Sequence, residues 1–144
     1  MIYTDRKHAG KVLAGMLTNY AGPDTVVLGL PNGGIPVGIE IAKDLESTFD
    51  LLFVSKITPS FNTEVGYGSV SESGTITINE EFVKQFGISP EDVKRDTDRT
   101  REKIQHRKRS YSMEDQRPEL KNRTVILVDD GIASGYTMVN AIQT

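Results

Sequence analysis

Two adjacent carboxylates, Asp129 and Asp130, end the apolar run Val125-Ile126-Leu127-Val128 and open a small-residue loop that closes on Thr137. The run has the length and β-branched content of a buried parallel strand. A strand that ends in carboxylates and small residues has the anatomy of a ligand site at the carboxyl edge of an α/β sheet. Gly131 and Gly135 let the backbone bend tightly and approach a ligand, and Ser134 and Thr137 add hydroxyl donors. N–H groups of the loop and of the helix expected after it converge on one spot, where the helix dipole favours an anion. The loop therefore reads as a phosphate cradle. Two carboxylates beside a phosphate repel it unless they face something else. Sugar hydroxyls or a Mg²⁺ ion are the natural partners. Phosphate, hydroxyls and metal together describe a phosphorylated ribose. A generic phosphate or nucleotide loop in another α/β fold is the competing reading.

The composition narrows the classes. A chain of 144 residues holds one domain at most. A net charge of -3 argues against a dedicated nucleic-acid binder. Without cysteine there is no disulfide, thiolate zinc site or cysteine nucleophile, and His8 and His106 are too few for a histidine-rich metal site. Residues 1–18 are too polar for a signal peptide, and no apolar run approaches transmembrane length. The expectation is a cytoplasmic protein that needs neither membrane nor nucleic acid.

Several elements must position the acid pair. Thr4 or Asp5 can cap a helix to about Tyr20, with Ala9, Val12, Leu13, Met16, Leu17 and Tyr20 on one face. Thr25 to Leu30 reads as a buried strand, Pro31-Asn32-Gly33-Gly34 as a tight turn, and Ile35 to Leu45 as a helix. Phe49 to Ile57 reads as a second strand, completing a βαβ unit with a parallel pair. Thr58 to Tyr67 is loop-like, and residues 68–73 and 75–78 suggest a hairpin around Ser73-Gly74. Asn79 caps a short helix ending at Gly87, and Ser89-Pro90 opens a charged helix to about Ser110. The basic cluster Arg101 to Arg109 reads as a solvated face. Tyr111 to Asn122 is a linker before the strand from Thr124.

VILVDDGIASGYT, residues 125–137, resembles the phosphoribosyl-pyrophosphate (PRPP) signature of the type I phosphoribosyltransferases. That signature has four apolar residues, two acids, two mostly aliphatic residues and a small-residue loop closing on Ser or Thr; Gly131 departs mildly from it. The likeness extends to GLPNGGIPVGIEIA (29–42), VSKI (54–57) and NTEVGYGSVSE (62–72). The chain looks most like small predicted phosphoribosyltransferases of unknown acceptor.

The resemblance implies a three-layer α/β/α fold with a mainly parallel sheet. In it, the first strand and the PRPP strand are neighbours at the topological switch point. It also implies transfer of a 5-phosphoribosyl group from PRPP to a nitrogen acceptor, a nucleobase above all, with release of pyrophosphate. By resemblance, Asp129 and Asp130 hold the ribose hydroxyls, directly or through water and Mg²⁺. Gly131, Ile132, Ala133, Ser134, Gly135, Tyr136 and Thr137 hold the 5′-phosphate. Pro31, Asn32, Gly33 and Gly34 form the pyrophosphate loop, Lys56 offers it a cation, and Glu64 and Tyr67 lie in a flexible loop, Thr58 to Ser69, that closes over the site. A homodimer is the expected assembly. Asn32 and Ser55 stand where the family more often has basic residues, so two positive charges near the pyrophosphate are absent. The family fold continues with further parallel strands beyond the helix that this chain has entered at Thr144, which points to a truncated chain or an edge covered by a partner. A PRPP- or nucleotide-sensing module without catalysis is the alternative function, and an inert dimerising fragment a third.

Overall fold

Thr25–Gly29 is buried at every position, as a strand covered on both faces must be, and forms β1. It runs into a tight turn and helix α2, Gly34–Asp44, which returns the chain to β2, Thr48–Leu51. β1 pairs in parallel with β2 on one side and with β6, Thr124–Val128, on the other, so the sheet order is β2-β1-β6. The α/β class with a parallel sheet is therefore the fold, and the first strand and the signature strand are neighbours. The computed structural model describes residues 2–111 and 117–144, so part of the linker from Tyr111 to Asn122 lies outside the described residues.

The chain divides into two compact units, Met1–Leu52 with Glu114–Ile132 and Phe53–Met113 with Ala133–Thr144. The first unit holds the parallel sheet. Its core joins Ala14, Val27, Val37, Ile41, Ala42, Leu45 and Val128. Burying each of the larger side chains fully is worth roughly 1.5–3 kcal/mol.

Helix α1, Arg6–Met16, is capped by Asp5, whose carboxylate accepts the His8 N–H at 2.7 Å. It stops earlier than its apolar spacing predicts, and a 3-10 turn covers Thr18–Tyr20. Its buried face is also displaced, because Met16 and Tyr20 are exposed while Gly10 and Ala14 are buried. The small residues turn inward because α1 lies close against α2. A Cβ on Gly10 would stand 2.6 Å from the Val37 carbonyl.

The second unit departs further from expectation. Phe49 to Ile57 is not one strand: the apolar run breaks into β2 and β3, Val54–Ile57, which belong to different sheets. Leu52 N–H donates to Gly29 O at 3.1 Å, whereas Phe53 N–H donates to the Glu72 carboxylate at 3.1 Å. An uninterrupted apolar pattern cannot distinguish one long strand from two short ones that change sheets. β3 pairs antiparallel with β4, Gly68–Ser71, and β4 with β5, Ile76–Ile78, giving the expected hairpin. Asn79 caps α3, Glu80–Gln85, and Ser89 caps α4, Pro90–Ser110, through a reciprocal capping box with Asp92.

α4 packs through a stripe that is mostly polar: Asp96, Thr97, Thr100 and Ile104. Asp96 accepts from Tyr67 Oη at 3.0 Å and Ser60 Oγ at 3.2 Å, and pairs with Arg99 at 3.1 Å. Arg99 also donates to Thr58 O at 2.7 Å. Tyr67 is fully buried and stacks on Phe82, so it is a core residue and not part of a loose loop. Only residues 60–65 of that segment form a continuous exposed run.

Candidate functional site

The parallel register of β1 and β6, from Thr25 opposite Thr124 to Gly29 opposite Val128, sets the loops at their carboxyl ends side by side. With β2 on the far flank of β1, the connections reverse there, which is where open α/β sheets bind ligands. Leu30 N–H donates to Val128 O at 2.8 Å and Gly34 N–H to Leu30 O at 2.9 Å, so the first loop is tied to the signature strand. The Pro31–Asn32 peptide bond is cis. Two glycines of this loop stand in close quarters. A Cβ on Gly33 would overlap the Asp130 carboxylate, and a Cβ on Gly34 would overlap the Val128 carbonyl.

The two acids are not equivalent. Asp129 is partly buried and accepts the Asp130 N–H at 2.8 Å. Burial pushes its carboxyl above the ordinary value. Asp130 is exposed and accepts from Arg6 twice, Nε at 3.0 Å and Nη2 at 2.6 Å, both on Oδ2. The Arg6 guanidinium holds the Asp130 carboxyl below its usual range. Asp130 is therefore the firmer anion of the pair. Beside the acids lies a cavity of about 350 Å³, with Tyr3, Asp5, Arg6, Asp129 and Asp130 on its polar side and α1 and α2 side chains supplying an apolar side. Among the described residues no group of three or more histidine or acidic side chains gathers. A hard cation would use the two carboxylates and complete its shell from substrate oxygens and water, which suits Mg²⁺.

Gly131 and Ile132 close the first unit, and the second holds Ala133 to Thr137, Lys56 and Glu64. Gly135 takes φ +84° as the N-cap of α5, Tyr136–Gln143, a conformation glycine adopts without strain. No side chain caps α5, so its first-turn N–H groups are open to an anion. Ala133 and Ser134 are exposed in front of it, and Gly131 and Ile132 lead in from the acid pair. The side chain of Tyr136 belongs to the fold: its hydroxyl accepts from Asn79 Nδ2 at 2.5 Å, and its carbonyl accepts from Ser69 Oγ at 2.9 Å. Asn140 pins the same helix, donating to Thr75 O at 2.8 Å and Ser69 O at 3.1 Å. Lys56 is exposed and donates to the Glu64 carbonyl at 3.2 Å.

Within the first unit, then, the loop 31–34 meets the acid pair, and within the second Lys56 meets Glu64. The family model for the phosphoribosyl transferase domain matches residues 3–144. The chain belongs to this family. Two phosphoribosyltransferase relatives come from Mycobacterium tuberculosis, "Putative phosphoribosyl transferase MT0597" of strain CDC 1551 / Oshkosh and "Putative phosphoribosyl transferase Rv0571c" of strain H37Rv. Each is 34% identical over 142 residues, covering 99% of this chain and 32% of its own length. The chain thus spans about a third of these curated relatives. The crystal structure of TT1426 from Thermus thermophilus superposes with a TM-score of 0.76 at 33% identity, covering 99% of this chain and 67% of that one.

Two residues of the chain escape sequence reading. Arg6 does so because its partner lies 124 positions away. Its signal is a cation in the first turn of a helix that has no acid there, a place the helix dipole disfavours. Asp96 is hidden by its charge, which reads as solvent-facing on a helix rich in charge.

Proposed function

We propose that the chain binds PRPP and transfers its 5-phosphoribosyl group to a nitrogen acceptor of the nucleobase class, releasing pyrophosphate. The observation that carries this reading is the approach of Gly33 to Asp130, which lays a glycine loop against an acid pair with no room for a side chain between them. Asp129 and Asp130 take the ribose hydroxyls. Loop 131–137, with the open N–H groups of α5, takes the 5′-phosphate. Backbone N–H groups of loop 31–34 take the pyrophosphate, with Lys56 as its cation and Glu64 in the covering loop. Asp129 and Asp130 are the residues that would hold Mg²⁺, which when bound neutralises charge on the leaving pyrophosphate. The N–H donors act on that same developing charge. Exclusion of water by a covering loop protects PRPP from hydrolysis.

Calorimetric titration with PRPP, with and without Mg²⁺, tests this reading against ribose 5-phosphate. PRPP affinity strengthened by Mg²⁺, followed by acceptor-dependent release of pyrophosphate, is the expected result. Asp130→Asn should weaken PRPP binding about tenfold, or about 1.4 kcal/mol; unchanged affinity would remove its role. A PRPP sensor without turnover is the second reading, favoured by the neutral side chains of Asn32 and Ser55. PRPP binding without pyrophosphate release under any acceptor would select it.

A further inference from the structure

Resting on this PRPP reading, we propose that Arg6 is a positioning residue: it clamps Asp130 against Gly33, so that one carboxylate oxygen faces the ribose. The geometry has three parts. Both donated hydrogen bonds from Arg6 land on Oδ2, at 3.0 and 2.6 Å, instead of spreading over the two oxygens as a bidentate fork does. Arg6 makes no hydrogen bond to Oδ1. The other face of the carboxylate lies against Gly33, where even a Cβ would overlap it. Held between the guanidinium and the loop, Asp130 has little freedom to rotate. A binding carboxylate fixed in advance does not lose that freedom when substrate arrives.

Stability gives a poor account of this pair. The Arg6 side chain is 60% exposed and that of Asp130 35% exposed, and surface pairs of this kind contribute little to folding. Placing a cation in the first turn of α1 also opposes the helix dipole. Among the described residues lining the cavity beside the acid pair, Arg6 is the one basic side chain. It also relieves the repulsion between two neighbouring carboxylates that must both face a sugar.

A double-mutant cycle read by ligand binding tests the clamp in the full chain. Arg6→Ala should weaken PRPP and ribose 5-phosphate by the same factor, about tenfold. In the Asp130→Asn background the same change should have almost no further effect. Arg6→Lys should restore part of the affinity, since an ammonium can hold one oxygen without the planar guanidinium. The thermal midpoint should stay near that of the unaltered chain in every variant. A loss confined to PRPP would mean that Arg6 binds pyrophosphate directly, and a loss on both ligands that persists in full beside Asp130→Asn would mean that Arg6 acts independently of Asp130; either would overturn the clamp. Full affinity in a folded Arg6→Ala chain would overturn it as well. Failure of the unaltered chain to bind either ligand would remove the PRPP reading itself, and the clamp with it.

Discussion

Each of the two compact units contains an aspartate gripped by an arginine, and the two grips serve opposite ends. The Asp96 side chain is 1% exposed and surrounded by Tyr67, Ser60 and Arg99, so both of its oxygens are occupied from within the fold. The Asp130 side chain is 35% exposed, and Arg6 occupies one oxygen only. A buried carboxylate must have its hydrogen bonds satisfied internally, because desolvation without partners costs several kcal/mol. An exposed carboxylate can keep a vacancy because water fills it at little cost. The same two side-chain types therefore make a closed internal contact in one unit and a solvent-facing one in the other. Burial, more than residue identity, decides which.

The comparison is most sharply tested by Asp96→Ala. Removing the carboxylate strands the buried Tyr67 hydroxyl, takes the ion-pair partner from Arg99 and leaves a cavity, and should lower the unfolding free energy by about 3–5 kcal/mol. Chemical denaturation measures this, and a loss under about 1 kcal/mol would put Asp96 in the same class as a surface pair.

Tyr67→Phe should have a smaller effect, about 1.5–3 kcal/mol, since one hydrogen bond to a charged acceptor is lost while the ring remains stacked on Phe82. The intact tyrosine also makes a pH prediction. Burial, and then the hydrogen bond to Asp96, raise its folded-state pKa well above the ordinary value of 10.0. The neutral phenol is therefore the form that the fold prefers. Its contribution is complete below about pH 10 and is lost as pH rises from there toward the folded-state value. Alkaline titration of stability should show this loss in the unaltered chain and not in Tyr67→Phe; identical curves would contradict it.

Asp130→Asn should have the smallest effect on stability, within about 1 kcal/mol by thermal or chemical denaturation. A destabilisation as large as that of Asp96→Ala would erase the distinction between the two grips.

What the sequence makes legible follows the range of the interactions involved. The caps at Asn79 and Ser89 are decided within three residues, and both appear where their side chains predict. β1, α2 and β6 carry their own patterns, and the acid pair and the glycine turn stand at their ends. Less legible are features set by distant packing. Gly10 and Ala14 face inward because α2 comes close, which no apolar stripe announces. Tyr67 looks like a loop residue until Asp96 and Phe82 enclose it. Arg6 belongs to the candidate site through a partner at the other end of the chain. The run from Phe49 to Ile57 hides its break because both halves are apolar and extended.

That break has a consequence for how the chain would breathe. Leu52 and Phe53 are neighbours in sequence, yet the amide of the first is held by Gly29 and the amide of the second by Glu72. Amide protons exchange with solvent only when their own hydrogen bonds open, and openings follow cooperative packed units more than sequence order. Two consecutive protons can therefore keep separate clocks, one set by the parallel sheet and the other by the antiparallel sheet. The single peptide linkage between them marks the point along the backbone where one rhythm of opening gives way to another.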